Sequence, residues 1–296
     1  MSDIVAHSCT NSVIKGIMVA ENMTYSSEIS RNNPGLFIFM IDQSRSMSHK
    51  LGGGSRSKAA EAADAINRQI GEIINRCTKS EGVRHYFDIG IVGYGARRGE
   101  ATSMLSGATL VPINEMESRI LKTETRKQTI DGQEIDYEFP VWFEPVAASD
   151  TPMVKAIDLA RQWAQEWASG HSDSFPPIVI NLTDGEATDG NPVDAMEELK
   201  SVSTNDGNVL IWNCHLSENR TKPVSFPSTT NALPEDKYAG ILFEMSSELP
   251  EGMIAIAKEE YTDVSTGARG YVFNAQLEDL IKLLDIGTRA ASTLMK

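Results

Sequence analysis

Three short polar clusters hold the residue types that could do chemistry. Asp42-Gln43-Ser44-Arg45-Ser46 follows directly on the apolar run Leu36 to Ile41, Ser149-Asp150-Thr151 leads into a helical pattern, and Thr183-Asp184-Gly185 follows the apolar run Ile178 to Leu182. Taken singly, each has an ordinary explanation, because Asp and Ser close turns with their own backbone and Thr caps helices. Taken together, the hydroxyls of Ser44, Ser46 and Thr151 with the carboxylates of Asp42 and Asp184 make an all-oxygen donor set suited to a hard divalent cation. Mg²⁺ demands near-octahedral oxygen ligation and keeps some of its waters, and Mn²⁺ and Ca²⁺ also accept oxygen donors. Zn²⁺ would prefer the nitrogen or sulfur that this set lacks.

For one ion to bridge Asp42 and Asp184, the two strands ending there must be neighbours. The run Leu36 to Ile41 is apolar without alternation, as expected of a central strand covered on both faces. Ser57 can cap a helix whose apolar positions Ala59, Ala63, Ile66, Ile70, Ile73 and Cys77 recur at helical spacing. Phe87 to Tyr94 reads as a strand, Thr151-Pro152 opens a helix to about Ser169, and Ile178 to Leu182 is a further buried strand. A helix from about Pro192 to Ser201, a strand Asn208 to Cys214, a loop Pro223 to Pro234 and helical pieces Lys237 to Met245 and Glu251 to Glu260 follow. A strand Gly270 to Asn274 and a helix Gln276 to Leu284 close the pattern. This alternation predicts an α/β fold, a doubly wound, mostly parallel central sheet with helices on both faces, Rossmann-like in architecture. In such a sheet the ligand site lies beyond the carboxyl ends of the strands, where the strand order reverses.

Residues 1–34 read as an N-terminal arm ended by the turn signal Asn33-Pro34-Gly35. The rest, 35–296, reads as one domain with an insertion at about 96–149, too long for a plain connection. Within it Ile135, Tyr137, Phe139, Val141 and Phe143 alternate, Thr123 and Thr125 suit an opposing strand, and Asp131-Gly132 is a turn pair, which predicts a β-hairpin at about 120–143.

The ordered pattern D-x-S-x-S, a Thr loop and T-D-G resembles the metal-ion-dependent adhesion site of von Willebrand factor A (vWA) domains over roughly residues 35 to 285. The resemblance implies that Ser44, Ser46 and Thr151 reach Mg²⁺ by their hydroxyls, with Asp42 and Asp184 binding directly or through water. It also implies that a vacant position accepts a carboxylate from a partner protein. The physical logic is that few directly bound protein carboxylates leave the ion electrophilic. Gln43 and Arg45 fill variable positions, and Asp150 stands where many relatives have Gly. Thr183-Asp184-Gly185-Glu186 and Arg269-Gly270-Tyr271-Val272-Phe273-Asn274 look like bacterial cytoplasmic A-domain proteins, including those grouped with kinases, phosphatases and tellurium-stress systems. The function implied is non-catalytic: an adaptor or regulator capturing a Glu or Asp of another cytoplasmic protein, with a kinase, phosphatase or ATPase among the partner classes.

Composition narrows the alternatives. The 296 residues carry a formal net charge of -14, which argues against nucleic-acid and anionic-membrane partners, since phosphates are neutralised by basic faces. Cys9, Cys77 and Cys214 form no C-x-x-C pair and read as free thiols in a reducing compartment. No apolar run approaches the ~20 residues of a membrane span, and the first residues lack the pattern of a secretory signal, so a cytoplasmic location is expected. A Mg²⁺-dependent phosphotransferase using Asp42 as nucleophile would resemble the haloacid-dehalogenase type, which needs a second Asp two residues on, where Ser44 stands. Gly52-Gly53-Gly54-Ser55-Arg56-Ser57-Lys58 lacks phosphate-loop spacing and reads as a flexible loop. The five histidines are scattered, without a hydrolase motif. A metal-independent scaffold that binds through the hairpin is the remaining alternative.

Overall fold

The computed structural model describes residues 25–130, 132–218 and 221–295. Most of the expected N-terminal arm, with Cys9, and Asp131 of the hairpin turn lie outside the described residues.

The strands of the central sheet are β1 (Gly35–Asp42), β2 (Phe87–Tyr94), β3 (Ala101–Ser103), β4 (Leu110–Pro112), β7 (Ile178–Thr183), β8 (Leu210–Leu216), β9 (Val224–Ser225) and β10 (Tyr271–Ala275), while β5 (Lys122–Ile130) and β6 (Gln133–Val141) pair apart from it. Its order is β9-β10-β8-β7-β1-β2-β3, with β4 also paired to β2. The five long strands β10, β8, β7, β1 and β2 run parallel, and the short edge strands β9, β3 and β4 are antiparallel. After β1 the chain builds outward on one side through β2, then returns to place β7 on the other side of β1. The order therefore reverses between β1 and β7, whose register aligns Phe37 with Ile178 and Ile41 with Leu182.

Both faces are covered. Side chains of β1 divide alternately, Phe37, Phe39 and Ile41 entering one core and Leu36, Ile38 and Met40 the other, which is why the run shows no polar alternation. The first core is closed by α1 (Lys58–Cys77) and α6 (Leu277–Ser292), through residues such as Ile66, Ile70, Leu280 and Leu284. The second is closed by α2 (Met153–Gly170), α3 (Pro192–Lys200) and α4 (Lys237–Met245), through Ile157, Trp163, Leu199 and Leu242. The helix α5 (Glu251–Glu260) packs beside α6. A buried polar ladder crosses the sheet, in which Tyr94 Oη donates to Asn181 Oδ1 (2.8 Å), Asn181 Nδ2 to Asn213 Oδ1 (3.0 Å) and Asn213 Nδ2 to Ser246 Oγ (3.0 Å). Each member is satisfied, as burial requires.

Three local outcomes differ from the sequence pattern. α6 runs on to Ser292 rather than ending at Leu284, because Leu283, Leu284, Ile286, Thr288 and Ala291 continue its buried face. Val224–Ser225, read as loop, adds a short antiparallel edge to β10. The Gly52–Lys58 segment is stitched rather than flexible: Leu51 N–H donates to Arg56 C=O (3.1 Å), Gly52 N–H to Ser217 C=O (2.8 Å) and Lys58 N–H to His49 C=O (2.8 Å). Positive φ at Gly52 and Gly53 makes that closure accessible.

β5 and β6 form a nine-residue ladder from Lys122↔Val141 to Ile130↔Gln133. The base of this hairpin lies on α1, where both terminal guanidinium nitrogens of Arg126 reach Asp64 (2.9 and 3.0 Å) and Phe139 and Val141 are buried. Ile135, toward the tip, stays exposed.

Candidate metal centre

β1 delivers Asp42 to the reversal point, and β7 delivers Thr183 and Asp184 beside it. The two carboxylates are joined by a continuous chain of polar contacts. Asp42 Oδ1 accepts from the Ser44 N–H (2.8 Å) and Oδ2 from Thr183 Oγ1 (2.8 Å). Ser46 Oγ donates to Asp184 Oδ1 (2.8 Å), and Ser44 Oγ lies 3.0 Å from Ser46 Oγ. A hydroxyl has one proton, so with that of Ser46 committed to Asp184, Ser44 donates to Ser46.

Thr151 is brought in by backbone. Ala148 N–H donates to Gln43 C=O (2.8 Å), Arg45 N–H to Ser149 C=O (3.0 Å) and Ser149 N–H to Gly95 C=O (2.9 Å). The loop after β7 holds the other side, with Thr188 N–H donating to Thr151 C=O (2.9 Å) and Thr151 N–H to Thr188 Oγ1 (3.0 Å). The orphan N–H groups of α2 are capped from that same loop, Val154 and Lys155 donating to the Asp189 carboxylate (3.1 and 3.0 Å). Asp189 thus supplies the cap that Thr151 would otherwise be suspected of providing.

The passage of this loop depends on Gly95. Its φ is +98°, and a Cβ there would fall 2.1 Å from Asp150 C=O and 3.1 Å from Ser44 N. Asp150 turns away from the cluster, its carboxylate accepting from the Gly99 N–H (2.9 and 3.1 Å). Arg45 is exposed, and His49 pairs with Glu218 at the rim (2.6 Å).

The electrostatics are those of a site short of positive charge. Burial, and then the nearby Asp184, push the Asp42 carboxyl up to about 6, against the pull of hydrogen bonds from Ser44 and Thr183. Lys58, the first residue of α1, is an unforeseen member: its ammonium meets Asp184 Oδ2 at 2.5 Å, and the two side chains are only 4% and 0% exposed. Behind the site His215 stacks on Phe273 and accepts from the Asn274 N–H (3.3 Å). Burial lowers it to about 4, which keeps it neutral.

These residues fit a small oxygen-ligated cation. Two ligands at about 2.1 Å in neighbouring octahedral positions lie about 3.0 Å apart, and the Ser44–Ser46 and Ser46–Asp184 oxygen separations of 3.0 and 2.8 Å match such edges. No group of three or more His, Cys, Asp or Glu side chains suited to a metal occurs among the described residues, so the donor set rests on hydroxyls. Cys77 and Cys214 are free and buried, their thiols pushed up by burial, Cys77 to about 12.

The sequence reading missed Lys58, Gly95, Thr188 and Asp189. Only Gly95 left a trace, as a glycine directly past a strand end.

No family model matches the chain, and no curated protein is detectably similar in sequence. Solved structures are similar in part. The manganese-loaded TRAP protein of Plasmodium vivax shares 14% identity over 64% of this chain and 59% of its own, with a TM-score of 0.35. The vWF domain of the type V pili tip protein Mfa5 from Porphyromonas gingivalis shares 15% over 52% of this chain and 38% of its own, at 0.31. The PilB minor pilin of Streptococcus sanguinis shares 11% over 88% and 62%, at 0.42. The chain thus spans about three fifths and two fifths of the first two. Its architecture stands on its own strand order: a doubly wound α/β sheet whose reversal point gathers Asp42, Ser44, Ser46 and Asp184 in one contact chain, with Thr151 on the adjoining loop.

Proposed function

We propose that this chain is a non-catalytic, Mg²⁺-dependent protein-interaction module that captures a partner's Glu or Asp at the site of Asp42, Ser44, Ser46, Thr151 and Asp184. The observation carrying this reading is the contact chain from Asp42 through Ser44 and Ser46 to Asp184, whose oxygen separations of 3.0 and 2.8 Å suit an octahedral ion. A divalent ion held there would supply Lewis acidity toward an incoming carboxylate.

Ser44 and Ser46 offer neutral oxygens and so do not quench the ion's charge. Asp42 and Asp184 supply countercharge from beneath. Thr151, fixed by Thr188 and by the Ser149–Gly95 contact, sets the third hydroxyl. A nucleophilic role suits Asp42 poorly, since it is fully buried and both its oxygens accept hydrogen bonds. The acidic chain favours a neutral or basic partner surface around the captured carboxylate. In this reading the protein is a cytoplasmic adaptor or regulator acting on another protein, such as a kinase, phosphatase or ATPase of a bacterial stress, signalling or defence system. Among the described residues no helix is long and apolar enough to cross a membrane.

The test is capture from native extract. Partner retention is expected in Mg²⁺, lost in EDTA and in Thr151→Ala, and restored to the wild type by added Mg²⁺. Retention unchanged by chelation would replace this reading with the metal-independent hairpin scaffold.

A further inference from the structure

Lys58 belongs to no part of the donor set, yet its ammonium is buried against it. Its side chain is 4% exposed, and its contact with Asp184 Oδ2 at 2.5 Å joins it to a carboxylate that is itself 0% exposed. That oxygen accepts no hydrogen bond from any described residue, its contact with Lys58 being an ion pair by distance, while Oδ1 of the same carboxylate takes the Ser46 hydroxyl. Asp184 is therefore shared, with one oxygen turned to the serines and the other to Lys58. The second contact of the ammonium is Glu218 at 3.4 Å, a half-exposed rim residue also paired with His49.

Burying an ammonium costs free energy unless it is paired, and long charged side chains normally keep their heads in water. Here the fold fixes it. Lys58 is the first residue of α1, its N–H bonded to His49 C=O (2.8 Å), with Ser57 capping the helix through the Ala60 N–H (3.2 Å). The stitched turn through Gly52 then ties this helix start to the end of β8 at Ser217 (2.8 Å). The backbone that carries Lys58 is thereby held in place, and its side chain enters the site from there.

Resting on the reading of Asp42, Ser44, Ser46, Thr151 and Asp184 as a divalent-cation site, we propose that Lys58 is a built-in counter-cation that weakens the site's hold on the metal and strengthens the loaded site's hold on an external carboxylate. The charge count gives the reason. Two carboxylates against a divalent ion leave a neutral loaded site, which has little to offer an anion. With the Lys58 ammonium included, a single positive charge remains among the buried groups, the complement of one Glu or Asp, since Glu218 at 3.4 Å is half exposed and screened by water. Lys58 also holds one oxygen of Asp184 away from the serines, favouring contact through the other oxygen alone. The two effects have opposite signs for metal and for carboxylate, which a merely structural lysine would not produce.

The experiment compares wild type, Lys58→Met and Lys58→Arg, each checked for fold by circular dichroism. Mg²⁺ is titrated by calorimetry, and acetate is titrated onto the Mn²⁺-loaded proteins while water-proton relaxation follows displacement of metal-bound water. Lys58→Met is expected to bind Mg²⁺ at least about ten-fold more tightly and acetate at least about three-fold more weakly, with Lys58→Arg close to wild type in both. Lys58→Met with both affinities unchanged, or with weaker Mg²⁺ binding, overturns the proposal while leaving the metal site standing. Absence of Mg²⁺ binding in all three proteins defeats the metal reading itself and the proposal with it. Misfolding of Lys58→Met alone while Lys58→Arg binds as wild type leaves the polar, uncharged Lys58→Gln to decide by the same two titrations. Tighter Mg²⁺ and weaker acetate binding in it support the proposal, and unchanged affinities overturn it.

Discussion

The hydroxyl of Thr183, the last residue of β7, donates to Oδ2 of Asp42, the last residue of β1, over 2.8 Å. One side-chain hydrogen bond thus locks the ends of the two strands between which the sheet order reverses. Both residues are fully buried, so the bond joins a charged acceptor to a neutral donor away from water. Thr183→Val keeps the shape and removes the donor. It is expected to cost about 1.5–3 kcal/mol in urea unfolding and to weaken Mg²⁺ binding, because Asp42 loses one of the two bonds that orient it. Wild-type stability and affinity in this variant would show that the bond is incidental.

Gly95 is the second structural hinge of the site. A methyl group there would meet Asp150 C=O at 2.1 Å, on a backbone with φ of +98°. Gly95→Ala is therefore expected to destabilise by on the order of 2 kcal/mol or more. It should also displace the loop carrying Thr151, lowering Mg²⁺ affinity more than Gly107→Ala, where φ is also positive and the Cβ position is open. Equal losses in the two variants would reduce the effect to backbone strain alone.

How far the site could be read in advance follows from the range of the signals. Asp42, Ser44 and Ser46 sit within five residues at the end of an apolar run, and Asp184 ends another, so local pattern and the rule for parallel sheets sufficed to place them together. Lys58 was hidden because its role depends on a turn that folds the start of α1 back toward Ser217, a contact between residues 165 positions apart for Gly52 and Ser217. Asp189 was hidden similarly, as it caps α2 from a loop reached only after β7. The length of α6 was underestimated because Gly287 lowers helix propensity, whereas burial of Ile286, Thr288 and Ala291 on either side of it carries the helix on. Local chemistry is written in sequence, and the close approaches that shape it are tertiary.

The hairpin offers a separate comparison. Its base is tied to α1 through Arg126, Asp64, Phe139 and Val141, whereas the segment Lys127 to Glu134 lies beyond that anchor. Replacing this segment by a short turn is expected to leave Mg²⁺ affinity unaltered and the melting temperature within about 3 °C, as surface changes away from packed contacts do. Chelator-sensitive partner capture should persist as well. Loss of capture with intact Mg²⁺ binding would assign recognition to the hairpin instead.

The most direct measurement is calorimetric titration of Mg²⁺ into metal-stripped wild type, Asp42→Ala and the double variant Ser44→Ala with Ser46→Ala. The wild type is expected to take up one Mg²⁺ per chain, with binding abolished in Asp42→Ala and lowered at least about ten-fold in the double variant, while circular dichroism stays that of the wild type. Equal Mg²⁺ affinity in all three, or no binding by the wild type, would contradict the assignment and leave the cluster as turn chemistry at the end of two neighbouring strands.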